Sequence, residues 1–289
     1  MLAQQDNNLL ASFYLYAENR VQQVGEAFQT RTMRMLPTVD PWLPATHQSY
    51  SAPLKGFVYN SGISGAYIMD SVSGGGFSAP LTRASGIHID YPNGRVLVPV
   101  SLGTNLVLTG TASIAEVNHY LANESEEQIL TQNKYFVNPR FIYPLSRSGV
   151  PPNVFATPAC FVNPLITHNV PFEFGGIVET KTTLTITVLA ESAFQLNALL
   201  SIWRDARYQY FPLLSTTQDP LDQWGDTKSG YNYLAYAAQY GTAGNLVYIE
   251  DVRTAKVSDK ARMNPQIFAG VIDIDTSFMR QPAGLGLFG

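Results

Sequence analysis

A chain of 289 residues with 45% hydrophobic side chains is long enough for one large domain or two ordinary ones, with a proper core. Only 14% of the residues are charged, against roughly 25% in a typical soluble domain, and the net charge of -4 argues against sequence-independent nucleic-acid binding through a basic face. The single cysteine, Cys160, excludes an intrachain disulfide scaffold and reads as a small buried hydrophobe.

The N-terminal MLAQQDNNLL lacks the basic and apolar regions of a signal peptide, and no window approaches the roughly 18 apolar residues of a membrane span. A soluble chain made in the cytoplasm is therefore expected. Residues 7–28 read as a helix. Leu10, Tyr14, Ala17, Val21, Val24 and Phe28 form one narrow seam with a period of about 3.5, opposite Glu18, Arg20, Gln22 and Glu26. Such a helix either docks on its own domain or packs against a neighbouring subunit. In the second case Leu10, Tyr14, Val21 and Phe28 are the contacts, and residues 1–35 form an arm.

A proline-rich stretch, residues 36–53, opens a β-rich body spanning 36–280. Short strands are expected at Phe57–Tyr59 and Ala66–Met69. Ser71–Ser78, SVSGGGFS, reads as a flexible loop tip; it has neither the GK[ST] ending nor the GxGxxG spacing of a phosphate cradle. Ile87, Ile89 and Tyr91, then Val96, Val98 and Val100, alternate on either side of Pro92-Asn93-Gly94. Asn-Gly is the favoured hairpin turn because both positions tolerate positive φ. A third strand at Asn105–Ala112 would complete a meander. Ser125–Gln128 has capping-box spacing before a short helix with Ile129 and Leu130. Residues 136–172 read as extended, with prolines from Pro139 to Pro171 that suit edge strands and loop crossings. A subdivision of the body, if there is one, falls near 134–150.

Gly175–Leu213 is the best-specified unit. Leu184, Ile186, Val188 and Ala190 alternate with Thr183, Thr185 and Thr187, the pattern of a half-buried strand. The period then changes to helical, with Ser192 and Gln195 spaced as a capping box and Leu196, Leu199, Leu200 and Trp203 forming a core stripe. Arg204 and Arg207 suit the last turn, and Pro212 forbids continuation. Leu214–Gly230 reads as a polar loop. Tyr231–Gln239, Leu246–Val252 and Phe268–Phe278 read as strands, with a short helix about Ser258–Met263. The tail 281–289, QPAGLGLFG, carries Leu285, Leu287 and Phe288, which either find a neighbouring subunit's groove or belong to a disordered end. The expected fold is α+β, mainly β: antiparallel sheets or a sandwich, an N-terminal helix, and a long helix flanking the central strand.

Chemistry is sparse. His47, His88, His119 and His168 are not spaced as zinc ligands, and no HExxH, CxxC or GxSxG motif occurs. His88 and Asp90 lie two apart on one strand, as do Asp273 and Asp275; both pairs read as polar strand faces. Asp40, Glu179 and Asp251 are the carboxylates to test for glycoside hydrolysis, whose partners need not be close in sequence. No catalytic, cofactor or metal residue is expected.

The hairpin GIHIDYPNGRVLVP, the strand NLVLTGTASIAEVNHYLANESEEQIL and the unit ETKTTLTITVLAESAFQLNALLSIWRD together resemble virion structural proteins of tailed bacteriophages, nearest to the connector proteins of the neck and tail end. The resemblance covers the style of residues 85–275 and carries no site residue over. It implies a homo-oligomeric ring, built in the host cytoplasm, at a head-completion, stopper or tail-terminator position. Its partners would be portal, adaptor or tail-tube proteins, with DNA passing through the lumen without sequence-specific contact. A mildly acidic lumen would reduce sticking. On that reading both termini and the loops 71–78 and 214–230 are adaptors to neighbouring rings. The alternatives are a tail-fibre or surface carbohydrate-binding module and an all-β glycosidase.

Overall fold

The computed structural model describes residues 5–41, 43–122, 135–136, 155–171, 178–215, 218–241, 245–257 and 267–280. Its architecture is α+β and mainly β. In chain order the elements are α1 (Gln5–Val24), β1 (Phe28–Thr38), β2 (His47–Ser51), β3 (Ser71–Gly74), β4 (Leu81–Thr82), β5 (His88–Asp90), β6 (Arg95–Pro99), β7 (Leu108–Ala115) and β8 (Asn118–Leu121). There follow β9 (Tyr135–Phe136), β10 (Phe155–Ala156), β11 (Ala159–Pro171), β12 (Val178–Ala190), α2 (Ala193–Arg204), β13 (Tyr210–Pro212), α3 (Tyr233–Tyr240), β14 (Leu246–Lys256) and β15 (Phe268–Arg280). A seven-stranded sheet runs β4-β3-β7-β1-β2-β6-β5, a six-stranded sheet runs β13-β14-β15-β12-β11-β8, and β9 and β10 form a parallel pair. Tyr50, Val96 and Val98 of the first sheet and Ile186, Val188 and Ile274 of the second belong to one hydrophobic core, shared with α1 and α2. The subdivision considered near 134–150 lies outside the described residues, apart from β9.

β12 is the centre of the larger framework. Every one of its residues pairs with β15, and its other edge pairs with β11. Leu184, Ile186, Val188 and Ala190 face α2, whose Leu196, Leu199, Leu200 and Trp203 are buried as the helical spacing requires. The Ser192 hydroxyl accepts from the Gln195 N–H at 3.2 Å, and the Gln195 amide accepts from the Glu191 N–H at 3.1 Å. α2 ends at Arg204, so Arg207 lies beyond its last turn. β8 pairs with Ala159–Val162 of β11, and Pro164 sits at a register shift toward β12. Proline is tolerated at such a shift.

Several expectations need correcting. The N-terminal helix stops at Val24: Glu26 takes φ +47 and Phe28 begins β1. β1 alternates Met33 and Met35, buried, with exposed Thr and Arg. It pairs with β7 on one side and β2 on the other, so β1 and β2 separate β7 from the β5–β6 hairpin and the meander does not form. Residues 57–59 and 66–69 are not strands; Phe57 makes a single bridge to Ile114. Residues 233–240 are helix α3, because the Asn232 side chain caps the Ala235 N–H at 3.1 Å and the alanines favour a helix. The sequence reading had placed a strand at Tyr231–Gln239. The helices expected at 125–130 and 258–263 fall outside the described residues.

The β5–β6 hairpin forms, but its turn differs. Only Gly94, at φ +63, is left-handed; Asn93 is not. The Gly94 N–H donates to the Tyr91 carbonyl at 3.3 Å across a four-residue turn. A Cβ at Gly94 would lie 2.2 Å from the Leu54 carbonyl oxygen. Gly94→Ala should therefore destabilise the chain by roughly 2 kcal/mol or more, through backbone strain and displacement of the 52–55 segment. Urea unfolding measures this, and an unchanged midpoint would refute the account of the turn.

Candidate functional site

The loop expected to grip a neighbouring ring is instead pinned to its own chain. The Asp226 carboxylate accepts from Arg83 at 2.7 Å and from the Ile89 N–H at 3.2 Å, while Arg83 also donates to the Tyr91 hydroxyl at 2.8 Å. Trp224 stacks on His88 with ring centroids 5.1 Å apart and lies 5.4 Å from His47. The Tyr91 N–H donates to the Gly225 carbonyl at 3.2 Å. Residues 218–230 thus clasp the first sheet. Residues 71–78 are likewise partly structured, with β3 paired to β4 and β7.

The carboxylates singled out from sequence are engaged by partners. Asp90 and Asp40 both meet Arg95, each at 2.6 Å, so His88 and Asp90 do not form an acid–base pair. Glu179 lies 3.6 Å from Lys181, and Asp251 lies 3.2 Å from Arg207. Asp275 and Asp273 accept from the Thr183 and Thr185 hydroxyls, each at 2.8 Å, on the polar outer face of the second sheet. Cys160 is fully buried, and burial pushes its thiol up to about 12. Burial pushes His119 down to about 4, so it is neutral at physiological pH. Among the described residues no group of three or more His, Cys, Asp or Glu converges on a metal-sized site, and no helix is long and apolar enough to cross a membrane.

Helix α1 is buried nearly all round, not by one narrow stripe. Leu9, Phe13, Tyr16, Ala17 and Val21 are in the core, and Asn19, Arg20 and Gln22 on the supposedly solvated side are buried as well. The Phe13 ring lies 5.5 Å from Trp203 and 5.6 Å from Phe211. Arg20 turns its guanidinium to the Ile202 carbonyl at 2.7 Å and the Gln209 amide oxygen at 2.6 Å. Glu18 accepts from the Tyr59 hydroxyl at 2.6 Å. Burial raises Glu18 to about 7; hydrogen bonds from Tyr59 and Tyr14 oppose the shift, and nearby Asp219 adds to it. Sequence periodicity had assigned Glu18 to solvent. The signal available was an acidic residue inside the aromatic run SFYLYAE.

The described surface has one concentrated aromatic corner, at the β13 edge of the second sheet. Tyr208, Tyr210 and Tyr248 are 74%, 60% and 46% exposed. Tyr210 and Tyr248 are cross-strand partners with ring centroids 6.2 Å apart. The Arg207 guanidinium stacks over Tyr208 at 4.6 Å while pairing with Asp251. Tyr208 has φ +65, a conformation that costs a bulky residue on the order of 1–3 kcal/mol. Its N–H donation to the Ile249 carbonyl at 3.0 Å holds it there. Phe211, Val247 and Ile249 point into the core, which turns Tyr210 and Tyr248 outward.

Of the contact residues expected from sequence, Val21 is sealed inside its own chain and is no surface for a neighbour. Leu10 packs half-buried against the core. Tyr14, also half-buried, donates to the His119 carbonyl at 3.3 Å. Phe28 belongs to β1 and is no part of the helix seam. Leu285, Leu287 and Phe288 lie outside the described residues. No protein-family model, curated protein or solved structure matches this chain.

Glu18 generates a pH prediction. The folded chain binds this proton more tightly than the unfolded one, whose carboxyl titrates near 4.5 against about 7 when folded. The stability it contributes is complete below about pH 4.5 and is lost as pH rises through 7, by on the order of 2–3 kcal/mol given its partial exposure. Glu18→Gln should raise the melting temperature by several degrees at pH 8 and change it little at pH 4.5. Equal shifts at both pH values would show that the carboxyl does not titrate in this interval.

Proposed function

We propose that this chain is a structural subunit of a tailed-phage virion, one member of a homo-oligomeric ring at the head–tail neck that surrounds the DNA channel. Head completion, stopping or tail termination is its task, and portal, adaptor or tail-tube proteins are its neighbours. The observation that carries the reading is the tyrosine corner. Exposed tyrosines with a stacked arginine are the usual anchors of protein interfaces, and here their display costs backbone strain. The low charge supports it too, because few ions need desolvating when copies associate. Two sheets sharing one core supply a rigid wall.

The same corner favours a second reading, a carbohydrate-binding surface of a tail fibre, since sugar rings also pack on exposed aromatic faces. One variant separates them. Tyr208→Ala combined with Tyr210→Ala and Tyr248→Ala changes only exposed side chains and should fold normally. On the assembly reading it enters particles at least tenfold less than the parent chain, and averaged electron images of complete particles show the parent as a ring. Glycan-array binding by the parent that disappears in the variant, with the chain absent from particles, would replace the first reading by the second.

A further inference from the structure

We propose that Lys55 and Asn93 join in an intramolecular isopeptide bond, with Asp90 passing the proton between them. This is a covalent step that the chain performs on itself, and it is independent of the assembly reading above.

The backbone brings the two residues together. The Phe57 N–H donates to the Tyr91 carbonyl at 2.8 Å, and the Gly56 N–H donates to the Pro92 carbonyl at 3.2 Å. On that count Lys55 stands across from Asn93. The Ala52 N–H donates to the Gly94 carbonyl at 3.0 Å and closes the segment against the turn. The approach is tight, since a Cβ on Gly94 would lie 2.9 Å from the Lys55 Cα. Residues opposed across antiparallel chains have Cα atoms about 5 Å apart, and a lysine stem reaches about 6 Å, enough for the amine to meet the amide carbon.

Asp90 supplies the proton transfer. It is 3% exposed and is held by Arg95 at 2.6 Å. The Asn93 Nδ2 donates to both of its oxygens, each at 3.0 Å, and the Asn93 N–H donates to it at 3.2 Å. The nitrogen that must leave already touches the group that protonates it. Lys55 keeps an exposed surface. Desolvation of its amine lowers its pKa, the Arg95 charge lowers it further, and Asp90 opposes both. A lysine shifted in this direction is the better nucleophile.

In the reaction the neutral Nζ of Lys55 attacks Cγ of Asn93. The Nζ–Cγ bond forms and the Cγ–Nδ2 bond breaks. A proton from Nζ passes through Asp90 to Nδ2, which leaves as ammonia. Nothing is oxidised or reduced, and no co-reactant enters. The competing reaction of an Asn-Gly pair closes the Gly94 nitrogen onto the same carbon. Here the Gly94 N–H is engaged by the Tyr91 carbonyl at 3.3 Å.

Intact-mass measurement and peptide mapping of the full-length chain, held at about pH 8, test this. The expected result is a loss of about 17 Da, the mass of ammonia, with a peptide in which Lys55 is joined to Asn93. Lys55→Arg keeps the exposed cation and should retain the full mass. An unchanged mass in the parent chain would overturn the proposal, as would a loss without the joined peptide. The same loss in Lys55→Arg would also overturn it and would mark ring closure at Asn93–Gly94 instead. The measurement uses the free chain, so its outcome leaves the assembly reading to particle imaging.

Discussion

Helix α1 is the element on which the rest of the structure depends. It packs against α2, α3, β8, β11 and β13 and hydrogen-bonds the 59–64 segment through Glu18, Asn19 and Gln23. Phe13 at its centre meets Trp203 and Phe211, which belong to the strand–helix–strand unit of the second sheet. Asn60, held by Asn19, in turn accepts from the Tyr233 N–H at 2.9 Å and orients α3. A helix enclosed on so many sides must satisfy its polar groups internally, because unpaired buried groups cost free energy that packing does not return. The bonds of Arg20 to the Ile202 carbonyl and Gln209 do this for a cation. Glu18 does it by accepting from the Tyr59 hydroxyl.

The second sheet manages its open edges by chemistry. β13 and β8 each cover one half of an edge. Beyond the stretch that β8 pairs, β11 contains Pro164 and Pro171, and beyond the stretch that β13 pairs, β14 contains Asp251, Arg253 and Lys256. Prolines and charges on an edge discourage indiscriminate strand pairing. The β13 edge differs in its aromatic display beside the Arg207–Asp251 pair.

The clasp of residues 218–230 shows how loop length misleads. A long polar stretch with Asp, Lys, Ser and Gly reads as free, yet Trp224 and Asp226 fix it to His88 and Arg83. These residues are separated by more than a hundred positions, and no local pattern announces their pairing. The carboxylates suggested for hydrolysis were treated in the same way by the fold, each drawn to a cation. Of the candidate site, Tyr208 and Tyr210 stand two apart in the sequence, but nothing local marks them as exposed. The contribution of Tyr248 was not legible either, because it arrives from another strand.

What the sequence determined by itself follows from short-range periodicity. The alternation of Leu184, Ile186 and Val188, the switch to helix at Ser192, the burial of Trp203 and Cys160, and the hairpin around Gly94 all rest on rules that act within a few residues. Only the tertiary structure decided the rest. It ended the first helix at Val24 and turned Phe28 into a strand, because β7 offered β1 a partner. It inserted β1 and β2 beside β6, and it coiled residues 233–240 around the Asn232 cap. It also set Glu18 against Tyr59 and near Asp219, which come from two distant segments. Pairing partners and enclosure are long-range quantities, and the period of one segment carries no record of what the others bring to it.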